Sequence, residues 1–335
     1  MSQNKPLYMI LAVAAIAIIG FLVVSQQDKG PAGQKDVKLG IVFGFTGPIE
    51  SLTPPMAEAA ELAMSEVTES GAFLGGTAVT SVRADSTCVD NAAATAAVER
   101  LITSDGISAI VGADCSGVTI ATLQNVAMPK GVVMISPSAT SPALSTMEDN
   151  GLFYRTAPSD AREGQVVAEM LMEKGYKSVA LTYTNNDYGK GLADVYSAAV
   201  KAHGIKVTTV SAHEDGKADY SAEVSTLASA GGDAVAVIGY LDQGGKGIIQ
   251  GSLDSGAFDK FILSDGMIGD SLTDAFGKSL NKSFGSLPGS LGKGAGVFGK
   301  VAKAAGIDPS GPYTGESYDA AALIVLAMQA SGSTD

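Results

Sequence analysis

The chain has 335 residues, of which 46% are hydrophobic and 17% are charged, and its formal net charge is −13. This length exceeds what one hydrophobic core usually serves, so we expect two lobes, and the apolar content excludes a disordered chain. The negative charge repels phosphate backbones and no run of Lys or Arg offsets it, which argues against a nucleic acid partner.

An uncharged apolar run covers residues 7–24 near the N-terminus, after Lys5 and before a polar stretch. Such a segment directs export, so we expect a periplasmic or other extracytoplasmic location. The run is longer than the core of a typical cleaved signal, which favours an uncleaved membrane anchor through residues 7–24, with a cleaved signal as the open alternative. Residues 1–34 therefore form a signal or anchor segment that ends in a tether.

From residue 37 onward, short β-rich runs alternate with helical patterns. In the first series the predicted strands lie at 37–43, 78–84, 108–111 and 132–135, and the predicted helices lie at 55–70, 91–104 and 118–127. This alternation is typical of a parallel sheet that carries helices on both faces.

A second series of the same kind begins after Pro158. Asp160 and Glu163 are predicted to form a capping box at the start of a helix that Gly175 ends. The strands that follow are predicted at 178–183, 206–210, 233–239 and 260–263. Because ligands of such sheets bind beyond the carboxyl ends of the strands, we expect the site in the loops after the strands.

Two motif types that suggest an enzyme lack their structural context. Residues 294–299 match a dinucleotide-binding pattern, but the sequence predicts no strand directly before them, so no nucleotide site is expected. The two histidines, His203 and His213, have no Ser or Cys at a strand-to-helix turn near them and are interpreted as surface residues. We predict neither catalysis nor a cofactor nor a metal site.

The only cysteines are Cys88 and Cys115. In an exported chain such a pair favours one disulfide, and two buried thiols are the open alternative.

Six short motifs in the predicted loops carry a resemblance to a known family. They are Gly44-Phe45-Thr46-Gly47-Pro48, Gly112-Ala113-Asp114-Cys115-Ser116, Ile135-Ser136-Pro137-Ser138-Ala139-Thr140, Tyr188-Gly189-Lys190-Gly191, Asp219-Tyr220-Ser221 and Asp308-Pro309-Ser310-Gly311. From about residue 37 to its end, the sequence resembles the periplasmic leucine/isoleucine/valine-binding proteins, the type I class of ABC-transporter receptors.

The resemblance implies two Rossmann-like α/β lobes joined by a hinge in a type I clamshell. Lobe 1 would cover residues 37–157, lobe 2 residues 158–285, and residues 286–335 would return to lobe 1. Members of the family usually continue past the helix at 320–330, so the C-terminal end is expected to be truncated.

The function implied is that of the extracytoplasmic substrate-binding protein of an ABC uptake transporter. It would bind an amino acid or a similar small zwitterionic or polar solute between its lobes and dock on membrane permease subunits. A ligand-sensing receptor with the same fold is the alternative, and an enzyme is less favoured.

The resemblance also implies a set of ligand-binding residues. Lobe 1 would contact the amino and carboxylate groups of the ligand through Ser116, Ser138 and Thr140, and lobe 2 would contact it through Tyr188, Tyr240 and Asp265. Tyr313 would line the pocket for the ligand side chain, and Cys88 would be bonded to Cys115.

From the residues alone each of these assignments has an alternative. Ser116 precedes a predicted helix, whose free N–H groups suit a carboxylate, but it could simply be an N-cap. Asp265 directly follows a strand and could pair with an ammonium or cap a turn. Tyr188 and Tyr240 are predicted to close strands and could be exposed loop tyrosines.

Three positions depart from the family pattern. Leu52 stands where an aromatic residue is common, Asp114 where an apolar residue is common, and Asp265 where Glu is more frequent. A carboxylate at position 114 would favour ligands with polar or cationic side chains over aliphatic ones. The alternative is that Asp114 caps the helix that begins near Val118.

Overall fold

The described part of the chain, residues 36–289 and 292–334 of a computed structural model, contains two five-stranded parallel sheets. The strands are β1 Val37–Phe43, β2 Val79–Asp85, β3 Ala109–Gly112, β4 Val133–Ser136, β5 Phe153–Arg155, β6 Ser178–Thr184, β7 Lys206–His213, β8 Ala234–Ile238, β9 Phe261–Leu263 and β10 Phe284–Gly285. The first sheet has the order β2-β1-β3-β4-β5, and the second has the order β10-β9-β8-β6-β7. The predicted α/β architecture of two lobes is confirmed.

Helices connect the strands, as parallel pairing requires. They are α1 Thr53–Ser70, α2 Asn91–Arg100, α3 Ser116–Thr122, α4 Asp160–Glu173, α5 Asp187–Ala202, α6 Ser221–Ala230, α7 Gly244–Ser255, α8 Asp270–Phe276, α9 Lys293–Ala304 and α10 Thr314–Ser331. None of the helices in the described residues is long and apolar enough to cross a membrane. The predicted signal or anchor at residues 7–24 lies outside these residues.

The last helix packs on the first lobe. Met56 and Ala60 of α1 share one apolar core with Ala321 and Ile324 of α10, beneath the face of the sheet that carries Leu39. The chain therefore crosses from the end of the second sheet back to the first. The division into lobes at residues 157 and 285 stays a prediction.

Three local predictions differ from the structure. Helix α4 is capped by Ser159, whose side chain accepts a hydrogen bond from the Ala161 N–H, so the predicted capping box of Asp160 and Glu163 is wrong. Helix α3 begins at Ser116, two residues earlier than predicted. Tyr188 lies in the first turn of α5 and does not close a strand.

Cys88 and Cys115 form the predicted disulfide, with their Cα atoms 5.2 Å apart. The bond joins the loop after β2 to the residue that precedes α3. It therefore restrains the loop that carries Asp114 and Ser116.

Candidate ligand site between the lobes

A cavity of about 30 Å³ lies between the two lobes, where loops that follow the strands of both sheets meet. Its wall is formed by Ile49, Leu52, Met56, Asp114, Cys115, Ser116, Ser138, Tyr188, Tyr240, Asp265, Gly266 and Tyr313. Eight of the nine predicted ligand-binding residues are in this wall. The ninth, Thr140, is outside it and fully buried.

The lobe 1 wall consists of two loops that are tied together. At the end of β3, Gly112 has φ = +129°, and a Cβ atom there would lie 2.5 Å from the Val42 carbonyl oxygen, so the turn requires glycine. Ser138 then donates from its hydroxyl to the Asp114 carbonyl (3.0 Å), and the Ser141 N–H donates to the Ser116 hydroxyl (3.1 Å). These bonds hold the two serine hydroxyls at the cavity.

Asp114 is 1% exposed and uses both of its carboxylate oxygens within lobe 1. It accepts hydrogen bonds from the Gly44 N–H (2.5 Å), the Ser86 hydroxyl (2.9 Å) and the Cys115 N–H (2.9 Å). Burial raises the pKa of Asp114 to about 6, against the lowering effect of these bonds. Asp114 therefore joins three loops instead of capping α3, and its effect on ligand choice stays a prediction.

The lobe 2 wall is built from stacked tyrosines around one carboxylate. Tyr188 stacks on Tyr240 with ring centroids 5.1 Å apart, and its hydroxyl donates to Asp265 Oδ1 (2.5 Å). From the lobe 1 side, the Tyr313 hydroxyl donates to Asp265 Oδ2. Gly266 permits this packing, because a Cβ atom there would lie 2.6 Å from the Gly239 carbonyl oxygen. Asp265, at 3% exposure, is thus fixed at the junction of both lobes.

Two further carboxylates lie beside Asp265 and were not predicted as part of a site. Asp160, Glu163 and Asp265 each place a carboxylate oxygen within 4.8 Å of the others, and all three are buried. Glu163 Oε1 accepts hydrogen bonds from the Asp265 N–H (3.2 Å), the Tyr196 hydroxyl (2.8 Å) and the Ser286 hydroxyl (2.7 Å). We call Asp160, Glu163 and Asp265 the acidic triad. The (i, i+3) spacing of the first two, which suggested a cap, also places them on one helix face.

Several oxygen atoms of this region lack a hydrogen-bond partner among the described residues. They are Oδ1 and Oδ2 of Asp160, Oε2 of Glu163 and Oγ1 of Thr140. Thr140 Oγ1 is close enough to Asp160 to lower the pKa of that carboxyl, although the contact lacks the geometry of a hydrogen bond. Buried polar atoms are nearly always paired, so these four await a partner.

The electrostatics of the triad disfavour three ionised carboxylates in the absence of a positive partner. Burial raises the pKa of Asp160 and of Glu163 well above the usual value, and the negative charge of Asp265 raises both further. Burial raises the pKa of Asp265 as well, against its bonds to the tyrosines. The Arg155 guanidinium donates to the Ala139 and Ser141 carbonyls (3.0 and 2.9 Å) and leaves Asp160 without a hydrogen bond.

Contacts at the rim of the cleft also join the lobes. Asp242, in the loop after β8, donates its N–H to the Pro48 carbonyl (2.9 Å) and accepts from the Ser51 N–H at Oδ2 (2.9 Å). Its other oxygen, Oδ1, is held within lobe 2 by the Ser271 hydroxyl (3.0 Å) and the Lys246 ammonium (3.4 Å). The structure is therefore the closed form of the two lobes.

The surface interpretation of His213 is wrong. His213 is 1% exposed at the end of β7, its Nδ1 lies 2.8 Å from the Thr182 hydroxyl, and burial lowers its pKa to about 4. It packs against the ring of Tyr220. A neutral histidine in this position belongs to the core of lobe 2.

The sequence of residues 36–335 matches the family described as periplasmic binding protein. Leu/Ile/Val-binding protein homolog 3 of Brucella melitensis is 31% identical over 240 residues, a match that covers 71% of this chain and 62% of that protein. Homolog 1 of the same organism is 29% identical over 330 residues, covering 96% of this chain and 84% of that protein.

Solved structures of similar fold include a branched-chain amino acid transporter substrate binding protein of Streptococcus pneumoniae in complex with isoleucine. It has a TM-score of 0.76 and 25% identity, and the match covers 90% of this chain and 86% of that one. A leucine binding protein of Thermotoga maritima has a TM-score of 0.78 and 23% identity, covers 89% of this chain and 84% of its own, and supports the fold alone.

Proposed function

Because this chain belongs to the periplasmic binding protein family, we propose that it is the substrate-binding protein of an ABC uptake transporter with a small zwitterionic ligand such as an amino acid. The observation that carries this proposal is the cavity between the lobes, whose two walls differ in chemistry. Lobe 1 presents serine hydroxyls, and lobe 2 presents a buried carboxylate between tyrosines. An ammonium and a carboxylate on one small molecule satisfy both walls.

In this arrangement Asp265 pairs with the ligand ammonium, and Ser116 and Ser138 bind the ligand carboxylate. Thr140 is buried outside the cavity and takes no part. A buried ammonium needs an anionic partner, and charge-assisted hydrogen bonds of this kind are about twice as strong as neutral ones. Tyr188 and Tyr240 cover the ligand and exclude water. Leu52 and Tyr313 also line the cavity, and in this proposal they face the ligand side chain.

Ligand entry requires the lobes to separate. A cavity of about 30 Å³ has room for a few water molecules at most, so it does not admit an amino acid from solvent while the lobes are closed. The ligand would bind the open form and shift the equilibrium toward the closed form. The closed form would then dock on permease subunits outside the cytoplasm, where members of this family act.

A binding screen over amino acids, small amides and polyamines tests this proposal. A ligand at one hundred times its dissociation constant raises the free energy of unfolding by about 2.7 kcal/mol, which thermal denaturation detects. We expect stabilisation by at least one α-amino acid and none by its decarboxylated or deaminated analogues. Stabilisation by an acid that lacks an ammonium group, with no response to amino acids, would contradict the proposal.

A further inference from the structure

The three carboxyls of the acidic triad outnumber the single ammonium of the ligand. Its three carboxylates are buried at 1%, 8% and 3% exposure for Asp160, Glu163 and Asp265. Fully ionised, the triad would carry a formal charge of −3, of which the ligand ammonium and the nearby Arg155 guanidinium would each offset one. Burial of uncompensated charge is costly, so a further cation is the simplest partner.

The unpartnered atoms are oxygens, and one of them comes from outside the triad. Thr140 belongs to the loop after β4 in lobe 1 and is 1% exposed, with its Oγ1 beside Asp160. Together with both oxygens of Asp160 and Oε2 of Glu163, it offers a set of free oxygen ligands. Oxygen-only sets suit hard cations such as Ca²⁺ and Mg²⁺ and disfavour Zn²⁺ and Cu²⁺.

The dimensions of the triad fit a metal ion. Ca²⁺ binds oxygens at about 2.3–2.6 Å, so two ligands on opposite sides of the ion are about 5 Å apart. The triad oxygens lie within 4.8 Å of one another. Mg²⁺ demands near-ideal octahedral geometry at about 2.0–2.1 Å, whereas Ca²⁺ accepts longer and less regular oxygen sets, so the spacing favours Ca²⁺.

A separate cavity gives a route to the triad that avoids the ligand cleft. It has a volume of about 130 Å³ and lies beside the start of α4, with Asp160, Glu163, Ser286 and Leu287 in its wall. A cation entering there reaches two of the triad carboxylates without crossing the tyrosine-covered side of Asp265. The cation therefore has an approach that does not pass through the ligand cavity.

From these contacts we propose a Ca²⁺ site formed by Asp160, Glu163, Asp265 and the Thr140 hydroxyl, next to the ligand ammonium. A bound divalent ion would supply two positive charges to the ionised triad and coordinate the oxygens that lack a partner among the described residues. The ion also links the lobe 1 loop that carries Thr140 to the lobe 2 residues Glu163 and Asp265. The position of the ammonium rests on the proposed function, whereas the metal site itself does not.

Terbium luminescence tests the site on the full chain after treatment with a chelator. Tb³⁺ replaces Ca²⁺ at oxygen sites and emits when a nearby tyrosine is excited, and the chain has no Trp to compete. Because Tyr188 and Tyr313 both donate to Asp265, an ion held by the triad would be excited strongly. We expect sensitised emission that added Ca²⁺ displaces and that Mg²⁺ displaces only at higher concentration.

Two variants of helix α4 distinguish metal binding at the triad from non-specific binding to carboxylates of the protein surface. Glu163→Gln removes a charge but keeps an acceptor for its three donors, and we expect at least an approximately tenfold loss of Tb³⁺ and Ca²⁺ affinity. Glu173→Gln removes the same charge at the exposed end of α4 and should bind like the wild type. Circular dichroism without metal confirms that both variants are folded.

Absent emission, or equal metal affinity in the wild type and Glu163→Gln, would overturn the metal site. Ligand binding is measured in parallel by calorimetry, with Ca²⁺ and with chelator. If amino acids bind but Tb³⁺ and Ca²⁺ do not, the metal site is wrong and the proposed function stands. If the metals bind but no amino acid does, the proposed function is wrong and the metal site stands.

Discussion

Both walls of the cleft contain buried carboxylates, but their surroundings differ. In lobe 1, Asp114 accepts hydrogen bonds from three groups of its own lobe, so its oxygens are used by the fold. In lobe 2, both oxygens of Asp160 and one of Glu163 lack a partner among the described residues. The carboxyl groups of both lobes are buried, so burial alone does not distinguish them. The fold therefore supplies donors to Asp114 but leaves Asp160 and Glu163 with oxygens for a ligand. Asp265, which accepts from two tyrosines and faces the cavity, combines both features.

Removing Asp265 tests the binding side of this comparison and should have the largest effect. Asp265→Ala leaves the ligand ammonium without its partner, so we expect affinity for the amino acid to fall by about 2–5 kcal/mol in calorimetry. Asp259→Ala, which removes an exposed carboxylate of the same lobe, is the control. Affinity near that of the wild type in Asp265→Ala would show that Asp265 is not the ammonium partner.

Opening the disulfide tests the structural side. Cys88 and Cys115 are 27 residues apart, and chain entropy predicts about 3–4 kcal/mol of stability from closing such a loop. The double change Cys88→Ser and Cys115→Ser should lower the free energy of unfolding by that amount in urea denaturation. Free-thiol labelling of the unreduced, denatured wild type should detect no thiol. Two reactive thiols per chain would disprove the bond.

The pH dependence of stability distinguishes Asp114 from an exposed carboxylate. Its pKa is raised from 3.8 to about 6, so the folded state holds the proton more tightly than the unfolded state. Its contribution is therefore greatest below pH 4 and is lost as the pH rises through 6, by on the order of 3 kcal/mol. In urea denaturation from pH 4 to 7.5, the stability of Asp114→Asn relative to the wild type should rise with pH. If the free energy of unfolding of the two proteins changed with pH in the same way, the pKa of Asp114 would not be raised.

The effect of Asp114 on ligand choice is the smallest that we expect. Asp114→Leu should weaken binding of polar or cationic amino acids and strengthen binding of aliphatic ones by about 1–3 kcal/mol. Asp114→Leu also leaves the three hydrogen-bond donors of Asp114 without an acceptor, which could prevent folding. Asp114→Asn keeps an acceptor oxygen and is therefore the second, milder variant. If both variants keep the ligand preference of the wild type, Asp114 serves only to join its three loops.

The sequence was sufficient to predict the fold, because alternating strand and helix patterns and the six loop motifs are local signals. β1 was predicted with its observed ends, Val37 and Phe43, since all of its residues except Lys38 are non-polar and buried. The predicted residues Ser116, Tyr240 and Asp265 do meet at one cavity. Their roles in binding remain predictions.

The acidic triad could not be found in the same way. Asp160 and Glu163 follow a serine at the start of a helix, and their spacing has an adequate local explanation as a cap. Only the packing of β9 against the start of α4 brings Asp265 beside them, and that contact joins residues 102 positions apart. The burial of His213 was missed for a similar reason, because it depends on Thr182 and Tyr220 from other elements.

The rim contacts of Asp242 have a consequence for the empty protein. They involve only Pro48 and Ser51 across the cleft, so they favour closure whether or not a solute is inside. Two hydrogen bonds of about 0.5–1.5 kcal/mol each are enough to change the closed population about tenfold. If the closed form is already partly populated without ligand, less of the binding free energy is needed for closure, and the apparent affinity for the ligand is higher. In the proposed transport role, the same bias would let empty closed molecules occupy the permease, so the contacts of Asp242 would raise ligand affinity at the cost of unproductive docking.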